Sequence, residues 1–332
     1  MATTLDVRGL TVELPTRNGW VRPVNDVSFE LAEGETLGIV GESGSGKTML
    51  ALALMGLLPP GARPRGEAWL SSARQNGSHP GQRTNLVTAG AAEMRALRGR
   101  EIAMIFQEPM TALNPVMRIG AQVEEMIREH GHALSAAEIR GRALHALERA
   151  AIPEAATRAR QYPHQLSGGL RQRVMIAMAL AAGPGVLIAD EPTTALDVTV
   201  QKQILDLLQT LRRELRLSLL FITHDLGVVA QIADRVQVMY AGRIVEQGPT
   251  REVLRHPRHP YTEGLLRAAP RLSREGLASI PGNVPALDDL PPGCAFAPRC
   301  SRHVAKCDVA MPDLASVGVA AENHRARCIL AG

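Results

Sequence analysis

Aromatic side chains are scarce in this sequence: four Phe, three Tyr and two Trp make up 3% of its 332 residues. So few rings leave little for the stacking platforms on which single-stranded nucleic acid lies, and this counts against such a partner. Long apolar runs are missing too, and no stretch approaches the roughly 20 residues that cross a bilayer as a helix. The opening Met1-Ala2-Thr3-Thr4-Leu5-Asp6 has neither the basic segment nor the apolar core of a secretory leader. The sequence therefore predicts a protein made and kept in the cytosol, with any membrane association supplied by a partner. Excess charge is small, a net +4 that makes no case for an acidic partner. There is no sustained heptad pattern of a long coiled coil and no internal repeat of 20 to 50 residues. Cysteine is absent until residue 294, and all four thiols fall at 294, 300, 307 and 328. What is present is ordinary for a globular chain, 45% hydrophobic and 21% charged, with material for one large domain plus an extra module.

The most informative stretch is Gly41-Glu42-Ser43-Gly44-Ser45-Gly46-Lys47-Thr48, a full match to the G-x-x-x-x-G-K-[ST] phosphate loop. Its context is right: Glu35–Val40 reads as a buried strand and Met49–Met55 as an Ala/Leu-rich helix. The glycines let the backbone wrap a polyphosphate with its N–H groups inward, and the helix N-terminus adds positive potential. In this pattern Lys47 reaches the β- and γ-phosphates and the Thr48 hydroxyl ligates Mg²⁺.

Upstream, Leu10–Leu14 and Val27–Leu31 alternate as antiparallel strands do, with turns at Asn18-Gly19 and Glu33-Gly34. Pro59-Pro60-Gly61 ends the first helix, and Ser71 to Ala92, with little periodicity, reads as a surface excursion. Ile102–Phe106 is a compact strand. From Ile119 to Ala150 the pattern is helical, and Arg171–Ala182 is a further helix ended by Gly183-Pro184-Gly185. Val186–Ala189, Leu219–Ile222 and Val236–Tyr240 read as strands, alternating with helices at Val198–Leu215 and Leu226–Ala233. This alternation predicts an α/β fold on a mostly parallel sheet. The block at about 111–185 interrupts it as an inserted helical subdomain. After residue 248 come short helices near 251–255 and 261–268, then a Pro-rich stretch and the cysteines, a separate module by composition.

Two further elements carry chemistry. Val186-Leu187-Ile188-Ala189-Asp190-Glu191 sets a carboxylate at the sheet's C-terminal edge, where Asp190 can hold Mg²⁺ or its water and Glu191 can act as the base toward the attacking water. Leu166-Ser167-Gly168-Gly169 opens a helix and makes a second anion cradle, which makes sense if it serves a nucleotide held by a second subunit. Leu-Ser-Gly-Gly resembles the signature of ABC ATPases, and the family's other pieces follow in order. Gln107 resembles the Q-loop glutamine, Thr194-Ala195-Leu196-Asp197 the D-loop, and His224 the switch histidine. Within that family the chain is similar to the oligopeptide/dipeptide importer branch. The matching stretches are Phe106-Gln107-Glu108-Pro109-Met110-Thr111-Ala112-Leu113-Asn114-Pro115, Tyr162–Gly169, His259-Pro260-Tyr261-Thr262 and Gly293–Cys300.

The resemblance implies a P-loop NTPase core with an antiparallel β subdomain, an inserted helical subdomain and a C-terminal extension, divided as 1–255 and 256–332. It implies ATP and Mg²⁺ as ligands, with Gly41 to Thr48, Gln107, Asp190 and Ser167, Gly168 and Gly169 around them, and Thr48, Gln107 and Asp190 toward the metal. Glu191, His224 and Gln107 are the implied catalytic residues. The implied partners are two transmembrane permeases, a second ATPase subunit (self or homologous) and, indirectly, an extracytoplasmic peptide-binding protein, with no nucleic acid. The implied location is peripheral, on the cytoplasmic face of the membrane. The same motor could serve another cargo, a nickel chelate or a sugar; a DNA-associated ABC ATPase is the remaining alternative. The family's adenine-stacking aromatic is replaced here by Leu14, leaving Leu14 or Trp20 for that contact. The spacing C-x5-C-x6-C-x20-C in a reducing compartment argues for a metal tetrad at Cys294, Cys300, Cys307 and Cys328 over disulfides. The resembling extension is associated with a 4Fe–4S cluster, with Zn²⁺ as the alternative.

Overall fold

The computed structural model describes residues 2–17, 19–72, 83–108, 112–130, 134–194, 196–269, 279–317 and 323–331. Asn18 of the expected first turn, Pro109 to Thr111, Ala195 and the middle of the 71–92 stretch lie outside them.

Two sheets organise the chain. The smaller is antiparallel, in the order β2-β1-β4-β5, from β1 (Thr3–Thr16), β2 (Gly19–Ala32), β4 (Arg63–Ser71) and β5 (Arg83–Asn85). The larger has β3 (Thr36–Val40), β6 (Ile102–Ile105), β7 (Val186–Asp190), β8 (Ser218–Thr223), β9 (Arg235–Tyr240), β10 (Arg243–Pro249), β11 (Ala315–Ser316) and β12 (Arg325–Ala326). Its order is β11-β12-β10-β9-β3-β8-β7-β6, and the run β9-β3-β8-β7-β6 is parallel. Every residue of β3, β6, β7 and β8 is buried, the pattern of strands covered on both faces.

The period of two along these strands sorts their side chains to two faces. Ile102, Met104, Val186, Ile188, Leu220 and Ile222 face one way and pack with Leu50, Ala51 and Leu54 of the helix Lys47–Leu54 and with the antiparallel sheet. Ala103, Ile105, Leu187, Ala189, Leu219 and Phe221 face the other way. They pack with the helices Ile119–His130, Ala136–Arg149, Gly168–Leu180 and Val198–Leu215. The phosphate-loop helix and the helix opened by Ser167 thus lie on opposite faces of one sheet.

The α/β expectation holds, with its antiparallel subdomain, and the helix expected at Val198–Leu215 spans those residues. The reading of 71–92 as a surface excursion does not hold throughout: β5 and the start of the helix Ala91–Leu97 occupy part of it, and Leu86 is buried. Three residues are too short a strand to leave a period in the sequence. The segment after residue 256 shares its core with the sheet. Tyr240 of β9 packs against Tyr261 and Phe296, and β12 pairs with β10. Glu246, fully buried on β10, accepts the N–H groups of Arg258 and His259 and bonds His324 at 2.7 Å, tying both ends of the extension to one carboxylate.

Candidate functional site

β3 runs straight into the loop 41–48, whose shape depends on two close approaches. A Cβ on Gly41 would overlap the Met239 carbonyl, and one on Gly46, at φ +106°, would overlap that of Pro23. Only glycine fits both positions. Lys47 is buried, and its ammonium donates to the carbonyls of Gly41 (2.8 Å) and Glu42 (3.0 Å) and lies 3.5 Å from Ser45 Oγ. Burial holds its pKa below the usual lysine value. Ser43, Gly44 and Thr48 face solvent.

Beside the loop, β7 ends in Asp190, which is 1% exposed. Burial pushes the pKa of this carboxylate up, against the opposing effect of the nearby Thr48 side chain. Its Oδ1 is buried with no hydrogen-bond partner. An orphaned carboxylate oxygen next to a threonine hydroxyl is a donor set that suits a hard divalent cation. Glu191 follows with φ +47°, a left-handed conformation uncommon outside glycine. Its N–H still reaches the Ile222 carbonyl, and the turn carries its side chain out to three partners. Thr194 Oγ1 donates to Glu191 Oε2 at 2.8 Å, His224 Nδ1 lies 3.1 Å from that oxygen, and Gln107 Nε2 lies 3.5 Å from it. The His224 contact holds Glu191 below the usual carboxylate range and, reciprocally, holds His224 above its ordinary value.

The structure therefore gathers Lys47, Thr48, Asp190, Glu191, His224 and Gln107 at the C-terminal edge of the parallel sheet. Gln107, expected near both the metal and the reacting atoms, directs its amide to Glu191. Ser167, Gly168 and Gly169 stand apart from this group. Ser167 N-caps the helix Gly168–Leu180, accepting the Leu170 N–H at 3.4 Å, and with Gly168 is solvent-exposed. Gly169 packs on Val200, just beyond Asp197, which caps the helix Val198–Leu215 by accepting two N–H groups at 3.0 Å. Leu14 packs against the core shared by the antiparallel sheet and the loop helix. Trp20 is 45% exposed, with the Arg63 guanidinium 4.0 Å from its ring centroid.

The four cysteines carry no disulfide. Burial raises the pKa of Cys294, Cys300 and Cys328, and the neighbouring Cys307 adds to the rise at all three. Each of these sulfurs accepts the backbone N–H of the residue two further on: Phe296, Arg302 and Leu330. The Cys294 N–H donates to the Cys307 carbonyl at 2.7 Å, and Cys294 and Cys300 pack in one apolar cluster while Cys328 packs in another. As the side chains stand, however, no group of three or more His, Cys, Asp or Glu among the described residues is set to hold a metal ion. Thr194, Tyr261 and Arg299 lie in stretches quoted for the resemblance, but no role of their own at the site was expected of them. Thr194 could have been found as the hydroxyl three residues after the candidate base.

A strand–loop–helix phosphate cradle, a carboxylate pair on the neighbouring strand and a separate serine-capped cradle define a nucleotide-binding cassette. A family model described as ABC transporter matches residues 24–194, and one described as the oligopeptide/dipeptide transporter C-terminal region matches 245–307. Among curated relatives, a putative peptide import ATP-binding protein of Brucella ovis is 53% identical over 98% of this chain and 96% of its own length. One of Brucella abortus is 49% identical over 96% and 93%. Among solved structures, a post-hydrolysis dimer of an ATP-binding cassette bound to ADP and Pi aligns at 29% identity and a TM-score of 0.64, covering 74% of this chain and 99% of that one. A component of an ABC transporter complex from Clostridium perfringens aligns at 27% and 0.63, covering 77% and 92%. The chain belongs to the ABC transporter family, as an ATP-binding cassette with the C-terminal region of the oligopeptide/dipeptide branch. Among the described residues no helix is long and apolar enough to cross a membrane.

Proposed function

We propose that this chain is the ATP-hydrolysing subunit of a peptide importer, acting as one of two cassettes beneath two permeases on the cytoplasmic face of the membrane. The observation that carries the reading is the placement of two anion cradles on opposite faces of one sheet. With the Lys47 helix and the Ser167 helix on opposite faces, we read the second cradle as serving a nucleotide held by a partner cassette. ATP bridging the two then favours the closed pair, and hydrolysis removes that preference.

Within each pocket the loop N–H groups and Lys47 hold the phosphates. Thr48 and Asp190, with Gln107 nearby, would hold Mg²⁺, which supplies charge neutralisation across the phosphates when bound. Glu191 takes the proton of the attacking water, and His224, released from Glu191 as nucleotide enters, holds the γ-phosphate. Trp20 is the proposed adenine platform: it precedes Pro23, against which the loop packs, by about 10 Å of strand. Gln107 follows Phe106, one wall of an apolar cavity of about 270 Å³ also lined by Leu57, Met104, Met126 and Met178. Soft side chains of this kind suit docking of a permease helix. As they stand, Cys294, Cys300 and Cys328 are raised in pKa by burial, and the thiols are not set around a metal. The family resemblance supports a 4Fe–4S cluster, or zinc, at Cys294, Cys300, Cys307 and Cys328, with a stapling role. Metal analysis and absorption spectra after anaerobic purification test it. A colourless zinc protein selects zinc, and a metal-free one removes both.

The shared pocket is tested in a covalently linked pair of full-length chains, one Lys47→Ala and the other Ser167→Arg. Each defect repeated in both halves spoils both pockets, whereas the mixed pair retains one intact pocket and should hydrolyse ATP at about half the parent rate. A mixed pair as inactive as the doubly defective ones refutes it.

A further inference from the structure

Glu42, the second residue of the phosphate loop, has every polar group engaged. Its carbonyl accepts Lys47 Nζ at 3.0 Å, its N–H donates to Tyr261 Oη at 2.8 Å, and its carboxylate meets Arg299 at 2.6 and 3.1 Å. Two of those three engagements come from the C-terminal extension, Arg299 lying 257 residues away in sequence. Both visitors are fixed from behind. The Arg299 side chain is 5% exposed and spends its remaining N–H groups on Tyr240 Oη and the carbonyls of Pro281 and Ile280. Tyr261 is fully buried against Tyr240 and Phe296. Arg299 sits on the short turn Ala297–Arg299, between Cys294 and Cys300.

We propose that Arg299 and Tyr261 are positioning residues for nucleotide binding, a clamp by which the extension fixes Glu42 and, through its carbonyl, the resting place of Lys47. The proposal rests on the reading of residues 41–48 as the ATP loop. Two physical effects give the clamp its consequence. A glycine-rich loop loses backbone freedom when it wraps a polyphosphate, and a loop already held loses less. The Glu42 carboxylate would also repel the incoming anion, and a buried, bidentate arginine neutralises it where a surface lysine would do so weakly. Arg299 therefore acts on ATP without touching it, and its loss should appear in binding more than in the chemical step.

The test measures Mg-ATP affinity, KM and kcat for the full-length chain. Arg299→Gln should weaken affinity and raise KM about tenfold, the range for losing a charged hydrogen-bonded pair, with kcat changed less than about threefold. Arg299→Lys should fall between, and Tyr261→Phe, which keeps the packed ring and removes only the acceptor, should weaken affinity severalfold. Arg299→Gln combined with Glu42→Gln should be no weaker than the weaker single variant, because both act through one contact. If Arg299→Gln does not fold, Tyr261→Phe and Arg299→Lys still decide the matter: parent-like affinity and KM in both overturn the clamp. Lys47→Ala separates the two levels. If it too retains full affinity, the loop reading falls and takes the clamp with it; if it alone loses affinity, only the clamp falls.

Discussion

Replacing Glu191 by Gln removes a charge while leaving the shape of the site almost untouched. The amide has the carboxylate's size and can still accept the Thr194 hydroxyl, now 2.8 Å away, so the left-handed turn at Glu191 persists. What disappears is the base. Proton abstraction by a positioned side chain is worth about 10²–10⁴ in rate, so ATP turnover should fall at least about a hundredfold. Affinity for ATP rests on Lys47 and the loop and should stay within about twofold. Stability carries a second signature. Glu191 sits below its ordinary value, so its contribution is present above about pH 4.5 and fades as pH falls through the lowered folded value. His224 sits above its ordinary value, so its contribution is full below about pH 6.5 and fades as pH rises through the raised one. The pair therefore stabilises most between those limits. His224 is 56% exposed, and solvent screening keeps the gain under about 1 kcal/mol. That is roughly 1–2 °C for a chain of this size. Nucleotide-free melts of parent and variant should differ more at pH 5.5 than at pH 8.5. Turnover within tenfold of the parent, or a gap in Tm that widens toward pH 8.5, refutes the reasoning.

Lys47→Ala should abolish measurable ATP binding by calorimetry, since it deletes the loop's only buried cation. Asp190→Asn should lower activity at limiting Mg²⁺ yet raise the nucleotide-free Tm at pH 7 by roughly 1–3 °C. Burial raises the Asp190 pKa, so the folded state is penalised as pH climbs from about 3.8 through that raised value, and the gain should shrink toward pH 4. Glu246→Ala leaves two buried N–H groups and His324 without their acceptor and should destabilise by about 3–5 kcal/mol in denaturant titrations. Trp20→Ala should weaken ATP binding severalfold at nearly parent stability, whereas Leu14→Ala, which opens space in the core, should do the reverse.

The parts of this molecule that were legible in its sequence are those whose cause is local. A four-residue apolar run such as Val186–Ala189, closed by Asp190, reads as a strand covered on both sides, and a glycine loop between such a strand and an Ala/Leu helix has one common use. Asp197 and Ser167 cap helices by accepting N–H groups no more than three residues away. The strand β5 was not legible, because three residues ranged along β4 owe their conformation to the neighbour and not to their own pattern. Nor was the grip of Arg299 on Glu42, for which no residue within a helical turn of either gives a sign. The spacing of the four thiols led to the expectation of a metal tetrad, but among the described residues no group of three or more His, Cys, Asp or Glu is set to hold a metal ion.

The sheet's alternation bears on the proposal that the chemistry is shared between two chains. Strands β3, β7 and β8 deliver the loop, the carboxylate pair and His224 to one edge, which fixes those groups relative to each other through buried, parallel-paired backbone. The same alternation commits the loop helix to one face and the Ser167 helix to the other. No side-chain rotation moves a packed helix from one face to the other, because packed cores are bistable at best and not continuously deformable. In the proposed shared pocket Ser167 acts on a partner cassette's nucleotide, and a ligand that both chains hold biases their separation only by its differential affinity for the closed state. Shifting a pair from 1:99 to 99:1 closed requires about 10⁴-fold tighter binding there. Contacts confined to one chain are made equally in the open and closed states and supply none of it. The Ser167 cradle, exposed and preformed on its helix, is where that difference has to come from.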